Sequence, residues 1–436
     1  MSSLAEVRLW GTTIGAVSMD GGRAAVFQYD PGFLAARIEV SPLRMALRTD
    51  PYQFPALNAD SFHGLPGLLA DSLPDRYGRA LIDAWLAGRG RRPDSFDSVE
   101  RLCYVGLRGM GALEFLPARG PRASTNHDLR VDALVELASE VLSNRAKLVA
   151  SLAAGRREAA MRDILSVGTS AGGARAKAVI AWNPASGVVR SGQLDAGPGF
   201  EHWLLKLDGV SSNRDRERLA DPQGYGAIEL AYAHMARDAG ITMTDCRLLE
   251  EGGRRHFMTR RFDRDDQGRK RHMQSLAALA HFDFAAAGAH SYEQAFGVIR
   301  ELGLDPAATE QQFRRMTFNV VARNQDDHVK NIAFLMDRAG RWELSPAFDV
   351  AYNYNPTGDW TSLHQMSLAG KRDGFTVEDL RQVGRVATLK RGAPERILEE
   401  VRTVVSQWPR YADAVGVDER HIRRITPNLR LNLPAR

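Results

Sequence analysis

The chain has 436 residues, 25% of them charged and 44% hydrophobic, a globular composition with apolar material for a sizeable core and for two or three domains. Fifty-eight basic against 53 acidic residues leave a formal charge of +5, too small an excess to indicate nucleic-acid binding by itself. Cys103 and Cys246 lie outside any Cys-x-x-Cys spacing, the start Met1 to Arg8 has no apolar signal core, and no uncharged apolar run is long enough for a membrane span. Disulfide scaffolds, cysteine-rich zinc sites, secretion and membrane insertion are therefore disfavoured, and a reducing cytoplasm is expected.

Residues 5 to 50 carry short, partly alternating apolar runs (Val7, Leu9, Ile14, Ala16, Ala24, Val26, Phe27) broken at Asp20-Gly21-Gly22, which predicts a small antiparallel sheet. After Pro66-Gly67 the spacing of Leu68, Leu69, Leu73, Leu81, Ile82 and Trp85 turns helical until Gly88-Arg89-Gly90. Residues 104 to 113 are glycine-rich but lead into no helix start, so a tight strand turn is preferred to a phosphate loop. The Pro/Gly/Ser-containing stretch 117–127 is the best candidate for a domain boundary, and a helix follows with Val131, Leu134, Ala138 and Val141 on one face. Between 161 and 265, apolar runs at Ala178 to Trp182, Trp203 to Leu207 and Arg255 to Thr259 surround one helix near 225 to 239, which predicts a sheet with a single packed helix. Beyond 270 the pattern is mostly helical apart from a hairpin at Ile332 to Leu344 that turns at Asp337 to Gly340.

The strongest chemical signal is Asn324-Gln325-Asp326-Asp327-His328-Val329-Lys330-Asn331, between a helix carrying Phe313, Met316 and Val320 and the apolar strand that starts at Ile332. Asp326 and Asn331 stand five apart, the spacing with which kinase catalytic loops let one Asp accept a hydroxyl proton while the Asn holds a metal ion. Phe348-Asp349, beyond the hairpin, supplies a second carboxylate. The plainer alternative makes Asp326, Asp327 and Lys330 a solvated loop and Asp349 a turn residue. Upstream, small residues from Val167 to Lys177 would let backbone N–H groups approach phosphate oxygens, or simply form a hairpin turn. Lysine occurs only at Lys147, Lys177, Lys206, Lys270, Lys330, Lys371 and Lys390, so Lys206 in the apolar strand Trp203 to Leu207 calls for an anionic partner, with Glu229 of the following helix as candidate. The order glycine-rich turn, strand lysine, helix glutamate, Asp-x4-Asn, Phe-Asp is that of a two-lobed kinase.

With Ser170 to Lys177, Trp203 to Lys206, Thr259 to Arg264, Asp326 to Asn331 and Ser345 to Asp349, and with His63 to Asp75 in the N-terminal part, the chain resembles the HipA family. These are the serine/threonine kinase toxins of bacterial toxin–antitoxin modules. The resemblance implies an α+β fold: a small β-rich N-terminal domain (1–118), a linker and helix (119–160), a mixed α/β N-lobe (161–265) and a mainly helical C-lobe (266–436). It implies Asp326 as catalytic base and Asn331 and Asp349 as Mg²⁺ ligands. Lys206 would contact ATP phosphates, and Gly172, Gly173, Ala174, Arg175, Ala176 and Lys177 would line the nucleotide. Arg260, Arg261 and Phe262 would form the adenine-side hinge, with Arg260 where an acidic residue is known in the family. His328, Val329, Lys330 and Phe348 would complete the surroundings. Ser170 occupies the family's autophosphorylation position, where a phosphate would add roughly −1.5 to −2 charges beside those of ATP.

The resemblance further implies a HipB-like helix-turn-helix antitoxin, operator DNA reached through that antitoxin, and a cytoplasmic protein substrate, with aminoacyl-tRNA synthetases among the family's targets. Arg89, Arg91, Arg92, Arg420, Arg423 and Arg424 are candidates for backbone contact with DNA, although such clusters are more often solvated faces. The alternatives are a small-molecule kinase, an inactive kinase-fold co-repressor bound to the antitoxin, and a metal-dependent hydrolase built on Asp326, Asp327, His328 and Asp349. The last leaves Lys206 and the glycine-rich loop unexplained.

Overall fold

A computed structural model describes residues 3–22, 24–87, 90–92, 95–120, 126–143, 158–168, 175–210 and 224–436. The fold is α+β, with an N-terminal sheet, a second sheet backed by helices and a mainly helical C-terminal part. In β1 (Ser3–Leu9), alternate residues Ala5, Val7 and Leu9 are buried, the period of a strand with one face on a core. It pairs antiparallel with β2 (Thr12–Met19), and β3 (Val26–Tyr29) follows the break at Asp20 to Gly22. The strand reading ends at Tyr29. Asp30 accepts the Gly32 and Phe33 N–H groups and starts one helical turn at Pro31, after which β4 (Tyr52–Gln53) returns to the sheet.

The helical stretch after Pro66 divides into α1 (Gly67–Ala70) and α2 (Arg76–Ala87), because Pro74 brings no N–H and Asp75 starts a new helix, its Oδ1 accepting the Gly78 N–H at 2.7 Å. A capping box of Asp97 and Glu100 begins α3 (Ser98–Val105), and β5 (Leu113–Leu116) completes the sheet order β4-β3-β2-β1-β5. The glycine-rich residues between α3 and β5 form a turn from helix to strand rather than between two strands, with Gly111 at φ 71°.

Tyr77, Leu81 and Ile82 of α2 do not join the core of the first sheet. They pack with α4 (Val131–Ser143), α5 (Glu158–Val167) and one face of the second sheet, so residues ahead of the 117–127 stretch fill the core beneath the strands that follow it. That sheet consists of β6 (Lys177–Trp182), β7 (Val189–Ser191), β8 (Glu201–Lys206), β9 (Cys246–Glu251) and β10 (Arg254–Arg260), in the order β7-β6-β8-β10-β9. Ala178, Ile180, Trp203, Leu205 and Met258 share its inner face. The opposite face, carrying Phe257, is covered by α6 (Tyr225–Asp238), so helices lie on both sides rather than one.

Beyond it, β11 (His272–Ser275) leads into α7 (Leu276–Ala280), α8 (Tyr292–Glu301) and α9 (Pro306–Val321). Phe313, Met316 and Val320 of α9 face the core, and Asp305 caps it. The hairpin of β12 (Ala333–Met336) and β13 (Trp342–Leu344) follows, then α10 (Val377–Val386), α11 (Ala393–Val405), α12 (Trp408–Ala414) and α13 (Glu419–Ile425). Strand β11, whose buried His272 and Gln274 give no apolar signal, pairs with β12. Both polar side chains bond the Val40 carbonyl. The N-terminal unit also reaches this small sheet through Asp71, which accepts the Ser275 N–H at 2.6 Å and its hydroxyl at 2.8 Å, and through Trp342 on the Glu39 carbonyl.

Asp263 joins the parts at the end of β10. It is fully buried, takes a bidentate pair from Arg261 (2.8 and 2.6 Å), a bond from Arg264 and the Gly111 N–H at 2.7 Å. No helix among the described residues is long and apolar enough to cross a membrane, and both cysteines are buried and unbridged. Asp263→Asn leaves two buried guanidinium groups short of charge and is expected to cost about 3–5 kcal/mol. Urea unfolding checks this as a lowered midpoint at unchanged slope.

Candidate active site

Strand alternation sets Trp203 and Leu205 into the core and turns Lys206 to the other face of β8, where register places Lys177 of β6 and Phe257 of β10 directly opposite. The Lys206 ammonium lies 2.5 Å from Glu229 Oε1 of α6 and also bonds Asp349 Oδ1. Glu229, buried by the packing of α6 on the sheet, is the partner expected from sequence. Burial opposes the charge of Lys206, yet Asp349 and Glu229 together raise it above its ordinary value. Burial alone would raise Asp349, but Lys206 and Lys177 hold its carboxyl well below the usual carboxylate range. Asp349 sits at φ 57°, a left-handed conformation that costs a non-glycine residue about 1–3 kcal/mol and gathers at functional sites.

The segment after α9 forms a loop whose end is one 3₁₀ turn, Val329–Asn331. Asn331 Nδ2 donates to the Asp326 carbonyl at 2.8 Å, which leaves its amide oxygen as the acceptor of that side chain. Asp326 keeps about a third of its side chain exposed, accepts Trp360 Nε1 at 2.6 Å on Oδ1 and stands 4.0 Å from His328 Nε2. His328, Asn331, Phe348 and Asp349 line one pocket together with Asp327, Tyr292 and Arg315, which brings the end of the loop after α9 and the Phe-Asp motif together. Buried in it, His328 Nδ1 has no hydrogen-bond partner. The amide oxygen of Asn331 and the Asp349 carboxylate, both lining that pocket, are hard-oxygen donors of the kind that suits Mg²⁺.

The other expected site residues are placed unequally. Ser170, Gly172, Gly173 and Ala174 lie outside the described residues. Arg175 stacks its guanidinium 4.0 Å over the Tyr225 ring, Ala176 is fully buried, and Lys177 is buried beside the Lys206 cluster. The N–H groups of Arg260 and Arg261 already donate to the Asp245 and His202 carbonyls, and the Arg261 side chain is consumed by Asp263. The two N–H groups expected at the adenine-side hinge are thus already paired within the fold, and the Phe262 ring lies 5.5 Å from that of Phe348. Val329 packs into the core, and Lys330 lies 4.3 Å over Phe284. Of the arginines proposed for DNA, Arg91 pairs with Glu100, Arg420 with Asp418 and Arg423 with Glu419.

Sequence reasoning missed the residues that hold the loop. Asp327 is no solvated loop residue: it is buried and accepts Tyr292 Oη at 2.6 Å, His364 Nδ1 at 2.8 Å and the Gln365 N–H at 2.7 Å. Its burial would raise its pKa, but His364, Tyr292 and Gln365 hold it lower. Trp360 is the second omission. Only the adjacency of two aspartates hinted that one of them turns inward.

Two family models match: the HipA N-terminal domain over residues 5–116 and the HipA-like C-terminal domain over residues 169–408. The chain belongs to the HipA family. Among solved structures it is similar to HipA in the toxin–antitoxin complex of Shewanella oneidensis MR-1 HipA, HipB and operator DNA, with 15% identity, a TM-score of 0.67, and 97% of this chain and 94% of that one covered. At that identity the likeness shows the fold. The Helicobacter pylori proinflammatory kinase CtkA matches at 11% identity over 52% of this chain and 92% of its own, with a TM-score of 0.29, too low to bear on the fold. No curated protein matches the chain.

In this HipA-family chain the Asp327 anchor has a pH signature. Because its pKa is lowered on folding, its carboxylate stabilises the fold above the ordinary value of 3.8, and the stabilisation is lost as pH falls through the lower folded value. Asp327→Asn is expected to be less stable than wild type by about 2–4 kcal/mol at neutral pH. Denaturation midpoints across a pH series should show the gap closing below 3.8.

Proposed function

We propose that the chain is a Mg²⁺–ATP-dependent protein serine/threonine kinase, the toxin of a type II toxin–antitoxin pair. The observation that carries this reading is the Lys206 ammonium shared by Glu229 and Asp349, whose carboxylate lines one pocket with Asn331. A hydrolase or a passive scaffold has no need for a strand lysine tied to both a helix glutamate and the Phe-Asp carboxylate.

Bound Mg²⁺–ATP supplies the γ-phosphoryl group and the metal charge that offsets the phosphates. Lys206 exchanges part of its bond to Asp349 for phosphate oxygens while Glu229 keeps it in place. Asn331 and Asp349 present oxygens for the metal. Asp326, fixed by Trp360 and by the Asn331 bond to its carbonyl, would accept the proton of the substrate hydroxyl as that oxygen bonds the γ-phosphorus and the bond to the β,γ-bridging oxygen breaks to release ADP. Phe262 and Phe348 offer ring surface beside the nucleotide.

Ser170 is the proposed site of self-inactivation, since a phosphate there repels those of ATP. The substrate is a cytoplasmic protein, with aminoacyl-tRNA synthetases the leading class. A HipB-like antitoxin is the proposed partner, because the Shewanella oneidensis HipA structure contains HipB and operator DNA.

The test is transfer of labelled γ-phosphate from Mg²⁺–ATP to the phosphatase-treated protein. Wild type should label itself, Asp326→Ala should slow labelling by roughly 10²–10⁴-fold, and Ser170→Ala should remove the acceptor. Lys206→Met should lose nucleotide affinity as well. A wild-type chain that binds ATP but labels no protein in a cell extract ends the protein-kinase reading.

A further inference from the structure

Asp75 is a buried carboxylate that none of the kinase motifs uses. It lies in the N-terminal part, at the cap of α2, where Oδ1 is taken by the Gly78 N–H. Its Oδ2 is buried without a hydrogen-bond partner, 3.9 Å from the Lys177 ammonium, and the two side chains keep only 5% and 4% of their surface exposed. A carboxylate that only caps a helix does not need its second oxygen buried against a lysine of another sheet, because capping is complete through the first.

Lys177 is the cation that this oxygen faces. It stands opposite Lys206 across the β6–β8 pair, on the same face, and two ammonium groups so placed repel. Burial and Lys206 both weaken the charge on Lys177, while Asp75, Asp349 and Glu229 support it. Glu229 and Asp349 are engaged by Lys206, and of the three carboxylates Asp75, 3.9 Å away, supports the charge on Lys177 most strongly.

We infer that Asp75 is a positioning residue for the nucleotide site: it holds the Lys177 ammonium on the phosphate side of β6 against Lys206, so that the N-terminal part supplies one charge of the kinase cleft. This rests on the proposed ATP reading. The charged and titratable groups around Asp75 are Lys177 from β6, Lys330 from the catalytic loop, and Arg79, Arg76 and Tyr77 from its own helix, with His63 bonded to Arg79. Burial pushes Asp75 up to about 6, so a proton taken up below that value removes the charge that holds Lys177.

The experiment measures the dissociation constant of Mg²⁺–ATP for the full chain between about pH 5 and pH 8, with wild type, Asp75→Asn and Lys177→Met. Asparagine caps a helix as well as aspartate does, so the first variant removes the charge and keeps the cap, which urea unfolding of the nucleotide-free protein verifies. Expected are a weakening of ATP binding by about tenfold in each variant at neutral pH, an affinity in wild type that falls as pH drops through about 6, and the loss of that step in both variants. The double variant should be no weaker than Lys177→Met alone. Wild-type affinity and pH response in Asp75→Asn, or in Lys177→Met should the first variant fail to fold, overturns the role of Asp75. A wild-type chain that binds no Mg²⁺–ATP overturns the proposed function instead.

Discussion

The Lys206 ammonium, held between Glu229 and Asp349, is the interaction on which the rest of the site depends. It binds three separate pieces of the fold: a central strand, the helix laid on that strand's face and the loop that follows the β12–β13 hairpin. Removing such charges from water costs several kcal/mol per ion, which only close pairing returns. With one partner removed, the remaining charge stays buried and uncompensated. The left-handed backbone at Asp349 adds to the same constraint, because the bond to Lys206 opposes relaxation of that residue to an ordinary conformation.

A second level of constraint comes from the N-terminal part. Its sheet has its own core, yet α2 fills the core under the second sheet, Asp71 holds the start of α7 through Ser275, and Val40 takes the polar side chains of β11. Asp263 answers from the other side by taking the Gly111 N–H. Each of these contacts pairs a buried polar or charged group with one far away in the chain, so displacing the N-terminal part would leave several such groups unsatisfied at once. The arrangement explains how a domain that carries none of the kinase motifs still shapes the cleft.

The elements legible in the sequence are those whose evidence is local. The apolar run Trp203 to Leu207 was enough to single out Lys206 as a strand lysine that calls for an anionic partner, and the helix of Phe313, Met316 and Val320 was enough to place the loop that begins at Asn324. The family resemblance came from the same short stretches. What could not be read is what lies across the fold: Trp360 on Asp326, Tyr292 and His364 on Asp327, and the Val40 carbonyl on Gln274 are joined over 34 to 234 residues. A polar strand such as β11 has no apolar period to reveal it, because its burial is satisfied by hydrogen bonds rather than by hydrophobic partners.

By itself the sequence determined the α+β character, the order of the motifs and the identity of the lysine, glutamate, asparagine and aspartates that meet in the cleft, since periodicity and spacing act over a few residues. The tertiary structure decided which aspartate of the Asp326-Asp327 pair stays partly exposed beside Trp360 and which is buried as an anchor. It also consumed the Arg261 side chain in a buried ion pair and brought Asp75 to Lys177. The physical reason is the same in each case: a charge taken out of water must find its partner in space, and separation along the chain does not say where that partner is.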